Sequence, residues 1–190
     1  MSYKTEYLAS IDSYFHVYNR GVNHAPIFFG ERHYQNFLDR IKKTLRQTEC
    51  VNVVTYCLMP NHFHLILYQR KESGLSKFMS NVCNGYVKAI NLEQDRTGHL
   101  FEGKYKLKLI DDNGYLLHLS RYIHLNTVRA GLVSKAENWR YSSCREYYGN
   151  STEQIAHPEI VLGQFERVKD YLEFVEEEPK DQERIKKYLF

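Results

Sequence analysis

Cysteine is sparse and scattered in this chain: Cys50, Cys57, Cys83 and Cys144, with no C-x-x-C pair among them. That spacing fits neither a dense disulfide framework nor a thiolate zinc site, and it predicts reduced, packed thiols. Long apolar runs are also missing. No stretch approaches the roughly 18 residues a membrane span needs, and the opening MSYKTEYLAS has no apolar core of a secretory signal. The expectation is a cytoplasmic protein with no membrane partner. Charge of one sign is lacking too, with 26 Lys+Arg against 23 Asp+Glu, but the balance is uneven along the chain. Residues 164–190 hold 6 basic and 8 acidic side chains, leaving 20 and 15 for the rest. A modestly basic body with 16 tyrosines and 10 phenylalanines suits a nucleic-acid surface, and equally a well-packed core.

What is present orders itself by periodicity. Tyr14–Asn19 (YFHVYN) alternates and predicts a strand. Tyr34, Phe37, Leu38, Ile41 and Leu45 recur at helical spacing over 31–46. VNVVTYCL (51–58) is β-branched, Pro60-Asn61 marks a turn, and His62–Tyr68 returns as a second strand of a hairpin. Gly74 opens a helix with Leu75, Phe78, Met79, Val82, Tyr86 and Ala89 on one stripe. KYKLKLI (104–110) alternates, with Lys104, Lys106 and Lys108 on one face. Asp111-Asp112-Asn113 supplies cap candidates for a helix over 114–126. The order β-α-β-β-α-β predicts an α+β fold of the ferredoxin-like, RRM-related kind. Its antiparallel sheet carries helices on one face, leaves the other face free to meet a ligand, and is followed by additional C-terminal helices. The acidic EEEPKDQE near the end predicts a solvated helical tail.

The chemistry concentrates in two places. On a strand, residues two apart point the same way, so His62 and His64 project together while Phe63 and Leu65 face the opposite side. Two neutral imidazoles on neighbouring rungs can share one cation; they also read as ordinary sheet histidines bonded to neighbours. On the later helix, His118, Tyr122 and Asn126 lie four residues apart along one face, beside the apolar stripe of Leu116, Leu119 and Ile123. Tyr122 and Asn126 offer a phenol and a carboxamide; a tyrosine beside such a stripe also reads as core. Tyr86 is a second phenol, but it sits within a helical apolar stripe and reads as packing.

Together these pieces resemble a family. NHFHLIL is similar to the histidine–hydrophobic–histidine motif of HUH nucleases. RYIHLNTVRAGLV resembles the tyrosine segment of single-tyrosine (Y1) transposases of the IS200-like class, in particular the REP-associated tyrosine transposases. HVYNRG, GHLFEGKYK and WRYSS also match, in the family's order, between Ser13 and Gly149. The resemblance implies a ferredoxin-like transposase domain over 1–149, with 150–190 as a charged helical extension of it.

The resemblance further implies that His62, His64 and Asn126 hold a divalent cation, Mg²⁺ or Mn²⁺, and that Tyr122 is the nucleophile. The implied reaction is cleavage and rejoining of single-stranded DNA bearing hairpins, through a 5′-phosphotyrosine. Relatives act either as monomers or as homodimers that complete each other's sites, and the chain alone leaves that open. Arg20, Lys104, Lys106, Lys108 and Arg129 are the candidates for phosphate contacts, with His99 and Phe101 as candidates for base stacking. Three positions depart from the family's habit. Thr127 stands where many relatives have proline, and Glu102 and Lys104 where they often have glutamine and arginine.

A noncatalytic nucleic-acid-binding module is the competing reading, and a hydrolase using water is a third. The first lacks the aromatic pattern of an RRM, and the second would need no tyrosine.

Overall fold

Strand β1 (Ser13–Arg20) sends Phe15 and Val17 to one side and Tyr14, His16 and Tyr18 to the other. That alternation organises everything around it in the computed structural model, which describes residues 10–177. Helix α1 (Glu31–Thr48) follows, burying Phe37, Leu38 and Ile41, and then the hairpin of β2 (Val51–Met59) and β3 (His62–Gln69). Helix α2 (Gly74–Glu93), β4 (Lys106–Ile110) and α3 (Asn113–Arg129) complete the frame. The sheet runs β2-β3-β1-β4 with every neighbouring pair antiparallel. This is the split βαβ order expected from the sequence.

Helices α1 and α2 cover one sheet face. Phe15, Val17, Val53, Leu58, Phe63, Leu65 and Leu67 meet Phe37, Ile41, Phe78 and Val82 there. Full burial of each such side chain is worth roughly 1.5–3 kcal/mol. The second face, expected to be open, is largely covered. Helix α3 lays Leu116, Leu119 and Ile123 over Val54, Cys57, Met59, Ile66 and Ile110. The physical reason lies in β2, where a register shift between Val53 and Thr55 inserts an extra residue. That bulge turns Val54 and Thr55 together toward α3. Short helices α4 (Cys144–Tyr147) and α5 (Glu159–Leu162), with α6 (Val168–Glu176), add Tyr147, Val161, Tyr171 and Val175 to the same layer. All four cysteines are free.

A buried polar network ties this layer to the sheet. Thr55 Oγ1 meets Ser120 Oγ at 2.8 Å and Tyr147 OH at 2.9 Å. His124 bonds Ser143 Oγ through Nε2 and the Tyr171 hydroxyl through Nδ1, both at 2.8 Å. The WRYSS segment runs along the outer edge of β2. Leu58 N donates to Tyr141 O, Ser143 N to Tyr56 O and Trp139 Nε1 to Leu58 O, each at 2.9 Å. An otherwise open strand edge is thereby closed.

The start of β4 differs from expectation. Strand β4 begins at Lys106 rather than Lys104, because Gly103 O accepts from Asn19 Nδ2 and Glu102 N donates to Arg20 O, which hold 102–103 out of the ladder. Most of the acidic tail lies in 178–190, outside the described residues. Among the described residues, no helix is long and apolar enough to cross a membrane.

Burial pushes His16 and His124 down to about 3, so both stay neutral in the folded state. The unfolded chain takes up protons near pH 6.5 while the native one does not, so stability is full above pH 6.5 and declines as pH falls toward 3. A fall in melting temperature is therefore expected between pH 7.5 and 5.5, before carboxylates titrate, at a cost on the order of 1 kcal/mol per ring. Circular-dichroism melts at the two pH values check it.

Candidate active site

The turn at Pro60-Asn61 is clamped from outside. Gly21 N donates to Asn61 O at 2.8 Å, and Ile27 N and Phe28 N both donate to Pro60 O. The clamp needs glycine at 21, since a Cβ there would sit 2.1 Å from Ala25 O. With the hairpin end fixed, β3 begins at His62 in a set register, opposite Arg20 on β1 and Met59 on β2.

His62 and His64 share the α3-side face, their ring centroids 5.1 Å apart and nearly perpendicular at 84°. His62 is half-buried; its Nδ1 lies 2.7 Å from Asn61 Oδ1, which can only accept, so His62 keeps its proton on Nδ1 and its lone pair on Nε2. His64 is fully buried, with Nδ1 2.9 Å from Nε2 of His16 on β1. Burial, with Arg20 and His24 nearby, lowers His62 to about 4. Burial, then His16 and His62, holds His64 well below the ordinary imidazole range. Both rings are neutral at pH 7, the form that ligates metal.

Helix α3 supplies the rest. Asp112, the residue before its first turn, caps it by accepting from Tyr115 N at 2.7 Å and so fixes its start at Asn113. Leu116, Leu119 and Ile123 seat the helix on the sheet, and the Tyr122 ring then stands edge-on to His64 with centroids 6.1 Å apart. One turn on, Asn126 is 9 % exposed, and its Nδ2 makes no hydrogen bond of ordinary geometry. The Arg129 guanidinium lies 5.0 Å over the Tyr122 ring. Burial raises the Tyr122 phenol above its ordinary value, opposed by Arg129 and by the neighbouring Asn126 amide.

The donor set can be tested against a divalent ion. Among the described residues no three His, Cys, Asp or Glu side chains are grouped so as to hold a metal ion, which leaves the Asn126 carboxamide as the candidate third protein ligand. Two neutral imidazoles plus a buried amide whose nitrogen makes no hydrogen bond of ordinary geometry fit such an ion. The amide's oxygen and nitrogen exchange places by a simple flip, and Mn²⁺ or Mg²⁺ accepts mixed nitrogen and oxygen ligands with open positions.

The basic candidates divide. Lys106 and Lys108 pair in register with Tyr18 and His16, and so share the face of the two histidines. Arg20 Nε is 2.5 Å and Lys106 Nζ 3.4 Å from opposite oxygens of Glu102, whose carboxyl the Arg20 hydrogen bond and Lys106 hold below the usual range. Lys104 precedes β4 and lines a groove with His99, Ser76 and Lys77 beside α2, away from the histidines. Phe101 is core, packed edge-on against Phe63. Tyr86 is core as well, its hydroxyl donating to Ile27 O at 2.6 Å. The contacts of His16 with His64 and of Glu102 with Arg20 join residues far apart in the chain. The alternation of β1 was the available signal for His16, since it shares a face with Tyr14 and Tyr18.

The profile of IS200-like transposases matches residues 9–126. Among proteins of curated function, none matches this sequence. A REP-associated tyrosine transposase solved bound to a REP hairpin is similar in structure, with TM-score 0.62 and 16 % identity over 78 % of this chain and 88 % of that one. A second solved chain, a transposase candidate from Deinococcus radiodurans R1, aligns at TM-score 0.43 and 13 % identity, over 58 % of this chain and 87 % of that one.

If Arg129 is what opposes the burial of the phenol, Arg129→Ala should raise the Tyr122 pKa further. Carbon-13 tyrosine labelling, with the Tyr122 signal assigned through Tyr122→Phe, reads that shift directly; an unchanged titration would remove Arg129 from the site.

Proposed function

This chain belongs to the IS200-like transposase family, and from that premise we propose that it cleaves and rejoins single-stranded DNA through a covalent bond to Tyr122. The observation that carries the reading is the 6.1 Å contact between the Tyr122 and His64 rings within one chain. It supports a site assembled in cis, without residues borrowed from a second copy.

In the proposed reaction the Tyr122 oxygen attacks a phosphodiester phosphorus. The phenol gives up its proton to solvent as its oxygen bonds to phosphorus; the bond to the 3′-oxygen breaks, and that oxygen takes up a proton from solvent and leaves as a hydroxyl. A 5′-phosphotyrosine retains the ester energy, so a later 3′-hydroxyl can reverse the step and rejoin strands. His62, His64 and Asn126 would hold the divalent cation. When bound, Mg²⁺ or Mn²⁺ would supply Lewis-acid polarisation of the phosphate.

The protein's own groups carry the remainder. A half-buried phenol resists ionisation through desolvation, and the Arg129 guanidinium over its ring offsets part of that cost as negative charge develops. Lys106 and Lys108, on the same sheet face, would meet phosphates of the incoming strand. The hairpin in the related solved structure makes a hairpin-bearing single strand the natural substrate to test.

Incubating the protein with a labelled hairpin oligonucleotide and Mn²⁺ should yield a denaturant-resistant protein–DNA adduct. Tyr122→Phe should abolish it and Tyr86→Phe should retain it, since the Tyr86 hydroxyl serves Ile27 O at a cost of about 1 kcal/mol if lost. Cleavage without an adduct would indicate a water nucleophile, and binding without cleavage a noncatalytic module.

Glu102 engages two cations that would otherwise face phosphate. Glu102→Gln should therefore tighten single-stranded DNA binding and steepen the slope of log K against log salt by roughly 0.7 for each cation released. Fluorescence anisotropy over a salt series measures both quantities; an unchanged slope would mean that Arg20 and Lys106 do not reach the strand.

A further inference from the structure

The sheet brings a third imidazole to the proposed ion site. His16 is completely buried on β1, its Nε2 2.9 Å from His64 Nδ1, the two rings 19° from parallel. Its other nitrogen, Nδ1, is buried and makes no hydrogen bond. A ring placed there only to fill space against Tyr18, on which it stacks at 4.7 Å, would be better served by phenylalanine, which buries no polar atom. The polar contact of His16 is therefore with His64, and the question is what that contact does.

A neutral imidazole has one donor and one acceptor nitrogen, so the pair has two states. In one, His16 Nε2–H donates to His64 Nδ1, and His64 carries its proton on Nε2, leaving no lone pair for a ligand. In the other, His64 Nδ1–H donates to His16 Nε2, and the lone pair of His64 lies on Nε2. We propose that His16 is the positioning residue for His64, accepting its Nδ1 proton and so holding it in the tautomer that can ligate. This rests on the reading of His62, His64 and Asn126 as the ion site, and it deepens that reading. His62 shows the same arrangement by another route, its Nδ1 proton going to Asn61 Oδ1. Each imidazole of the pair is thus oriented through Nδ1 by a neighbour outside the ligand set. Metal-bound histidines ordinarily hand that proton to a carboxylate, carbonyl or water; here a buried imidazole takes it.

The test is Mn²⁺ binding by the full-length protein without DNA, followed by electron paramagnetic resonance of the free ion, with His64→Ala as the site control. His16→Leu should weaken binding by about 10- to 100-fold, and His16→Gln, whose carboxamide oxygen can replace Nε2 as acceptor, should stay within about threefold of wild type. Binding by His16→Leu equal to wild type overturns the proposal, as does a glutamine no better than leucine. Absence of binding in wild type, or binding unchanged in His64→Ala, overturns the ion site itself and this role with it. Should His16→Leu fail to fold, nitrogen-15 spectra of the wild-type, metal-free protein decide: a proton on His64 Nδ1 is expected, and a proton on Nε2 refutes the assignment.

Discussion

The packing of the Tyr122 ring against His64 is the contact on which the functional reading depends. Neither partner is placed by local sequence alone. His64 faces α3 because β3 alternates and its register is pinned on both sides, to Tyr18 on β1 and Cys57 on β2. Tyr122 faces His64 because the Leu116, Leu119 and Ile123 stripe seats α3 on Val54, Cys57 and Ile66. A one-residue slip of β3 would turn both imidazoles into the α1–α2 core, and a misplaced α3 would leave the phenol without a neighbour.

The electrostatics follow from that packing. Covering the sheet face dries it, which keeps His62 and His64 neutral and ready to donate lone pairs, and at the same time makes the Tyr122 phenol harder to ionise. The same burial favours the proposed ligands and opposes the proposed nucleophile, so compensating positive charge has to come from nearby groups. Arg129 supplies it from within α3, over the ring. At the rim the balance reverses, because Glu102 draws Arg20 and Lys106 into ion pairs. Both faces of that pair are partly solvated, so it holds the side chains more by geometry than by strength.

Much of this frame was legible in the residues. The strand alternation of YFHVYN and NHFHLIL, the turn at Pro60-Asn61 and the helical stripes of α1, α2 and α3 each follow from short-range periodicity. The order of those elements then determines which strands are neighbours. Three things were not legible, for related reasons. The covered second face depends on the bulge at Val53–Thr55, which breaks strict alternation and lets two successive residues face α3. The late start of β4 depends on the Asn19 side chain bonding Gly103 O, a contact 84 residues apart in the chain. The network of His124, Ser143 and Tyr171 joins segments whose individual patterns are too short to announce a partner. His16 lies between these cases: its face was readable, whereas its hydrogen bond to His64 needed the diagonal neighbour on β3.

The most direct test of the central contact asks whether both halves of the site must belong to one chain. His64→Ala and Tyr122→Phe proteins, unfolded together and refolded as a mixture, would carry intact imidazoles on one chain and an intact phenol on the other. A site built in cis predicts no covalent DNA adduct from the mixture while refolded wild type forms it. Adduct restored well above either variant alone would show that the phenol reaches a second copy's histidines, and would contradict the account.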